Sequence, residues 1–455
     1  MANDSMPPQR TATRRHAPRT RHRNRRRALL STGAAALLAF TTACGSGGPA
    51  DASGAGAWAL TGGDEQTLRT SFENWNESNQ DAQLNAQFFA NDAYKQKIQT
   101  AIGAGDAPTL IFGWGGGNLR NWVQAGKVAD LSSAVEETPQ ELQDRFLPSV
   151  RDTGVVDGKT YAVPNNGMQP VLLYYNKDLF DQVGAQPPKT WQDLMDLVPK
   201  FKDAGVAPLA IGGQSKWPQL MWLEYLVDRI GGPEVFEAIA NNEPDAWSHP
   251  AVLKANRMIQ DLVEAGAFVE GFNSIASDSG ADSALLYTDK AAMYLMGSWA
   301  FPTIKDAAPD FISSGKLGYT SFPTVEGGRG NPENIVGNPA NFWSVSADAG
   351  DQERQAALKY LRDGLLNDRY VDDLLAGGSV PPITGIEGKL SRTDNPEYLS
   401  YVYDSAKNAP NFQLSWDQAL TPGQADEMLN NLQQVFSGRM TPEQFSTKMN
   451  RTIER

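Results

Sequence analysis

From Gly56 to Lys127 the hydrophobic period switches repeatedly between that of a strand and that of a helix. "GAWALTGG" (56–63) is a short apolar run that ends in a turn. From Glu65 to Asn79, Leu68, Phe72 and Trp75 recur at helical spacing, and "AQLNAQFF" (82–89) alternates as a strand does. Tyr94 to Ala104 reads as a helix stopped by Gly105, "APTLIFGW" (107–114) as another strand, and "NLRNWVQAGK" (118–127) as another helix. Strands alternating with helices predict an α/β layer with a largely parallel sheet. Ligands of such sheets bind where strand ends give way to loops. Asp64, Asn91 and Trp114 each fall just past a strand, and three glycines, Gly115 to Gly117, follow Trp114 directly.

Further along, "KTYAVPNNGMQPVLLYYNKDLF" (159–180) carries strand-like runs either side of "PNNGMQP". Residues 188–230 read as helical with an interruption at "GVAPLAIGGQ". "AAMYLMGSWA" (291–300) reads as a buried strand ending in a tryptophan, and "ENIVGNPANFWSVSA" (333–347) as strand broken by Gly and Pro. The remainder is mainly helical, broken at 377–385 and 410–420. No internal repeat stands out.

The first residues are read as a targeting segment rather than as fold. Residues 1–27 hold nine arginines against one acid, Asp4, and Ala28 to Phe40 is a short apolar run. Thirteen residues are too few for a stable membrane span, which takes about 20. The pattern predicts an export signal over 1–43, and "RRRALL" (25–30) resembles a twin-arginine signal. Cys44, the single cysteine, closes that run and precedes a Gly/Ser/Ala stretch to Gly56. "TTACGSGG" resembles a lipoprotein signal, in which Cys44 carries the lipid and 44–56 is a flexible linker. Thr41 stands where the lipoprotein pattern usually has Leu; a chance cysteine in a conventional signal is the alternative.

Composition excludes several classes. The whole chain carries a net charge of −13, and removal of the basic leader leaves the remainder more acidic still. A general nucleic-acid binder, which needs clustered Lys and Arg, is excluded. Two of the three histidines lie in the leader, leaving His249. Ser/His/Asp triads and multi-histidine metal sites are therefore hard to build. A lone cysteine forms no internal disulfide and disfavours a thiolate metal site. No metal and no cofactor is expected. Tryptophan, by contrast, occurs eleven times, which suits binding more than catalysis. More than 400 residues after the leader exceed one core and fit two lobes.

The lipoprotein signal, "LIFGWGGGNLRNWVQAGKVADL", "GKTYAVPNNGMQPVLLYYNKDLF", "DKAAMYLMGSWA" and "SWDQAL" together resemble the solute-binding proteins of carbohydrate ABC transporters, in their large maltodextrin-type branch. "GWGGG" is similar to actinobacterial binding proteins for xylobiose and related oligosaccharides. The resemblance implies a two-lobe α/β fold of the class II periplasmic-binding-protein type. Three hinge crossovers are expected near Asn165–Val171, Val336–Trp343 and Gly378–Ile386. One lobe would hold 57–167 and 338–380, the other 168–337 and 381–455, with the ligand cleft between them.

The resemblance also implies aromatic platforms for sugar: Trp114, Trp299 in "GSW", Trp416 in "SWD" and Trp217 in "KWPQLMW". A sugar ring has an apolar face that a flat indole covers and a rim of hydroxyls that amides and carboxylates pair. Asp64 matches a hydroxyl-binding position; Asn91, Asn165, Asn166, Gln169, Asn338 and Asp417 are cleft-loop candidates. The glycines beside Trp114 are expected to keep side chains clear of the cleft. The implied partners are a di- or oligosaccharide, first of all xylobiose or a xylo-oligosaccharide, and a permease pair with a separate ATPase. The protein is expected to be a monomer on the outer face of the cytoplasmic membrane.

Each residue has a blander alternative. The tryptophans could be core, as Trp75 and Trp122 are read; Asp64 could cap the helix after it; Asn165 and Asn166 could form turns. A phosphate loop fails because Asn118-Leu119-Arg120 follows the glycines. A glycoside hydrolase would need two carboxylates flanking one bond, which no motif marks. A lipoprotein that binds a polysaccharide or protein without transport stays open.

Overall fold

The computed structural model describes residues 54–136 and 145–453. The expected signal over 1–43, Cys44 and most of the linker lie outside them. The strand expected from Gly56 begins one residue earlier, at Ala55. Among the described residues no helix is long and apolar enough to cross a membrane.

The chain begins with three strand–helix repeats. Strand β1 (Ala55–Leu60) leads into helix α1 (Glu65–Ser78), β2 (Leu84–Phe89) into α2 (Asn91–Ala104), and β3 (Leu110–Gly113) into α3 (Gly116–Gln124). In them β2 and β3 pair on either side of β1. β1 alternates buried and half-buried residues, and β3 is buried throughout. Leu68, Phe72 and Trp75 face the core from α1, and Trp75 donates to Ala82 O at 2.7 Å. Trp122 is half-buried beneath Gly113.

Next come β4 (Val155–Val156), β5 (Lys159–Thr160), β6 (Val163–Pro164) and β7 (Gln169–Asn176), then β8 (Ala207–Ala210) and β9 (Ala291–Gly297). β10 (Leu317–Thr320), β11 (Ile335–Asn338), β12 (Phe342–Val345) and β13 (Phe412–Leu414) complete the set. Two sheets result. One runs β2-β1-β3-β12-β6; the other runs β13-β11-β7-β9-β8, with β10 also on β7.

The expectation of a largely parallel sheet holds for β2, β1 and β3, and in the second sheet for the pairs β8–β9 and β11–β13. β12 is antiparallel to β3 and to β6. In the second sheet β7 is antiparallel to β9, β10 and β11. The reason is topological: β12 enters its sheet from the other one, and β6 leaves for it, rather than through a local crossover helix. The chain changes sheet between β6 and β7, at residues 165–168, and between β11 and β12, at 339–341. A further link, residues 378–385, follows helix Asp368–Gly377 and precedes helix Glu387–Leu390. Met168 N–H donates to Val380 O at 2.8 Å, so the first and last links pack together.

Candidate functional site

The ends of β1, β2, β3 and β9 open onto one cleft. It holds about 1230 Å³ of space, counting what runs out to solvent at its mouth. Trp114, Trp217 and Trp299 line it, with Asp64, Asn91, Asn166, Gln169, Asn338 and Asp417.

Trp114 lines the cleft but is only 7% exposed, and it packs against Phe112 and Tyr94, whose centroids lie 5.7 and 6.1 Å away. Lys95 Nζ stands 5.1 Å from the indole centroid, within cation–π range. On the other wall Trp217 and Trp299 meet at 6.0 Å and 56°. The "GSW" motif has a direct cause here. Trp299 folds back over Gly297, and any Cβ at 297 would lie inside the indole. Glycine is therefore what permits this platform.

The glycines after Trp114 have a different role from the one expected. A Cβ on Gly117 would fall on the Leu420 carbonyl oxygen, one on Gly116 on that of Gln418, and one on Gly115 would come within 2.7 Å of Thr153 O. They admit backbone, and the backbone at 418–420 belongs to the segment after β13. Arg120 donates to Ala419 O at 2.7 Å beside them.

Two expected residues do not reach the cleft. Trp416 is wholly buried, stacked on Phe236 at 4.6 Å and edge-on to Trp247 at 5.9 Å. It is a core residue in this structure, because the turn after β13 carries its side chain inward and Asp417 outward. Asn165 is also wholly buried behind the cleft wall, with neither side-chain polar atom partnered. Its peptide N–H donates to Asn341 O at 2.8 Å.

Electrostatics single out Asp64. Its carboxylate borders the cleft but is enclosed by protein, and burial pushes its pKa up to about 6. Hydrogen bonds from the Ser379 hydroxyl and the Gly167 N–H oppose that rise. No side-chain cap bond to α1 exists, so the capping role weighed for Asp64 is not the one it plays. Instead Asp64 is bonded to two of the segments that link the sheets.

Several cleft residues carried no sequence signal. Lys95 pairs with Asp417 at 3.0 Å. Asp278 accepts the Asp92 peptide N–H at 2.8 Å, and Asp282 accepts the Ser277 hydroxyl. Burial raises the pKa of both aspartates. Asn341 lines the floor. No cluster of metal-ligating side chains occurs among the described residues. His249 accepts from Ala251 N–H at 3.1 Å and caps the helix Pro250–Glu264.

Two sheets, the chain passing between them, and a tryptophan-lined cleft at their strand ends define the two-lobe solute-binding fold. The chain belongs to the family of bacterial extracellular solute-binding proteins, whose model matches residues 59–362. It is 29% identical over 212 residues to a probable sugar-binding periplasmic protein of Mesorhizobium japonicum, covering 46% of this chain and 48% of that one. It is 30% identical over 223 residues to a diacetylchitobiose-binding protein of Streptomyces coelicolor, covering 48% and 47%. The chain thus spans about half the length of these curated relatives. A solved structure described for xylan utilization by Caldanaerobius polysaccharolyticus superposes with a TM-score of 0.79 at 29% identity, covering 88% of this chain and all of that one.

Proposed function

We propose that this protein is the sugar-capturing component of an ABC importer, with 57–167 and 338–380 acting as one lobe and 168–337 and 381–455 as the other. The observation that carries the reading is one cleft lined both by Trp114, which follows β3 of the first sheet, and by the Trp217–Trp299 pair, of which Trp299 follows β9 of the second. A flat apolar ring face fits between indoles, and the amides and carboxylates around them suit a rim of hydroxyls. The ligand is a di- or oligosaccharide, with xylobiose or a xylo-oligosaccharide first; the relative described for xylan use supports that choice. The Streptomyces relative makes di-N-acetylchitobiose the second candidate.

The contacts from Lys95 to Asp417, Asp92 to Asp278 and Arg120 to Ala419 belong on this reading to the closed form. Sugar favours that form by binding it better than the open one. The closed protein delivers its cargo to a permease pair driven by a separate ATPase, acts as a monomer, and is held outside the cell by lipid on Cys44. It performs no chemistry on the sugar. The test is calorimetric titration of the chain cut after Cys44 with xylobiose, xylotriose, cellobiose, maltose, maltotriose, raffinose and di-N-acetylchitobiose. Micromolar or tighter binding to one class, with the sugar recovered intact, is expected. Silence across the panel, or hydrolysis, rejects the reading.

A further inference from the structure

Gln169, Asn338 and Asn341 form a chain of side-chain amides on the cleft floor. Gln169 is the first residue of β7 and pairs in register with Asn338, the last of β11; Asn341 lies in the link that follows. Gln169 Nε2 donates to Asn341 Oδ1 at 2.7 Å, and Asn338 Nδ2 donates to Gln169 Oε1 at 3.3 Å. Two atoms are left over. Asn338 Oδ1 and Asn341 Nδ2 are buried and have no partner, although both residues line the cleft. Asn338 is 8% exposed and Asn341 1%.

Three amides joined by two bonds end in one free carbonyl and one free NH2, whichever way the row is oriented. Reversing all three side chains reverses the ends and keeps the inventory. Buried polar atoms are normally paired, and the two ends ask for a group that donates to one and accepts from the other. The two ends are neutral, one a donor and one an acceptor, so a ligand edge that both donates and accepts satisfies them together, whereas a carboxylate, which only accepts, or an ammonium, which only donates, satisfies one of the two. Backbone bonds fix the row: Asn165 N–H donates to Asn341 O at 2.8 Å, and β7 and β11 hold the other two residues.

Resting on the sugar reading above, we infer that Asn338, Gln169 and Asn341 form a subsite whose free ends, Asn338 Oδ1 and Asn341 Nδ2, pair with a neutral donor-and-acceptor edge of the ligand. Asn341 is a direct ligand contact that the sequence did not mark. The shared chemistry is one donor beside one acceptor, as a pair of neighbouring hydroxyls or an acetamido group supplies.

The test is calorimetric titration of the chain cut after Cys44, as wild type, Asn341→Ala and Asn338→Ala. The ligands are xylobiose, each of its mono-deoxy analogues, di-N-acetylchitobiose and cellobiose. Either variant is expected to lose tenfold or more in affinity for the sugar that wild type prefers, with its melting temperature held. The loss should vanish for the analogue that lacks the paired hydroxyl. If the acetamido is the partner, the loss appears with di-N-acetylchitobiose and not with cellobiose. Two variants guard against one failing to fold. Wild-type affinity in both variants overturns the subsite and leaves the sugar reading standing. An equal loss for parent and every analogue also overturns it, since the amides would then only support the wall. A wild type that binds none of these sugars overturns the subsite together with that reading.

Discussion

Lys95 Nζ lies 3.0 Å from Asp417 Oδ2, tying α2, which follows β2 in one sheet, to the turn after β13 in the other. Asp417 is nearly enclosed while Lys95 keeps about a third of its side chain in solvent. Replacing Lys95 by Met leaves a buried carboxylate without its cation and removes a charge from beside Trp114. If the pair helps hold the cleft closed, Lys95→Met weakens sugar binding by about tenfold, roughly 1.4 kcal/mol. It also flattens the dependence of affinity on salt. The exchanged pair Lys95→Asp with Asp417→Lys recovers part of the loss. Calorimetry at low and high salt checks both statements. Wild-type affinity in Lys95→Met would leave the bridge without a role in closure.

Asp64 gives the pH dependence. Its folded pKa, about 6, stands above the ordinary aspartate value of 3.8. Between those values the folded state holds the proton and the unfolded state has lost it, so Asp64 removes stability as pH rises through that window. Asp64→Asn is therefore expected to raise the melting temperature at pH 7.5 and leave it nearly unchanged at pH 4. Ligand binding runs the other way: the ionised carboxylate is the stronger acceptor, so affinity rises through pH 6 in wild type and not in Asp64→Asn. Asp278 and Asp282, also raised by burial, remain in both proteins and cancel in the comparison. Melts and titrations at the two pH values decide it, and a destabilised Asp64→Asn at pH 7.5 would contradict the assignment.

The contact of Gly117 with the Leu420 carbonyl makes a third expectation. A methyl group at 117 has no space, so Gly117→Ala must push α3 away from the segment after β13. Overpacking of this kind costs about 1–3 kcal/mol. If the contact forms only on closure, the variant folds with near wild-type stability and binds sugar more weakly. If it is permanent, the melting temperature falls instead. Comparing the two readouts on one variant separates these cases.

What could be read from the sequence was local. The strand–helix order from Ala55 to Gln124 follows from periodicities within single elements, and Trp114 and Trp299 are marked by standing just past a strand. The resemblance carried by "SWD" misplaced Trp416, since its neighbours Phe236 and Trp247 come from segments far earlier in the chain. Lys95 and Asn341 were missed for a related reason. One sits mid-helix and the other in a Gly/Pro-broken run, and only the meeting of two sheets gives either a partner. The glycines were read as clearing space, but Gly116 and Gly117 admit backbone about three hundred positions downstream, at Gln418 and Leu420.

The correction at Trp416 leads to the remaining prediction, made in contrast with Trp114. Trp416 has no exposed surface and packs between two aromatic rings. Trp416→Ala therefore opens a core cavity and is expected to lower stability by about 3–5 kcal/mol. Its peptide N–H also donates to the buried carboxyl of Glu224 at 2.7 Å, a bond the variant can retain. Trp114→Ala removes a ring that borders the cleft and is expected to weaken sugar binding tenfold or more, with a smaller loss of stability. Urea denaturation and calorimetric titration of both variants test the contrast. A Trp416→Ala protein as stable as wild type but unable to bind sugar would restore Trp416 to the site, and an unchanged affinity in Trp114→Ala would remove Trp114 from it.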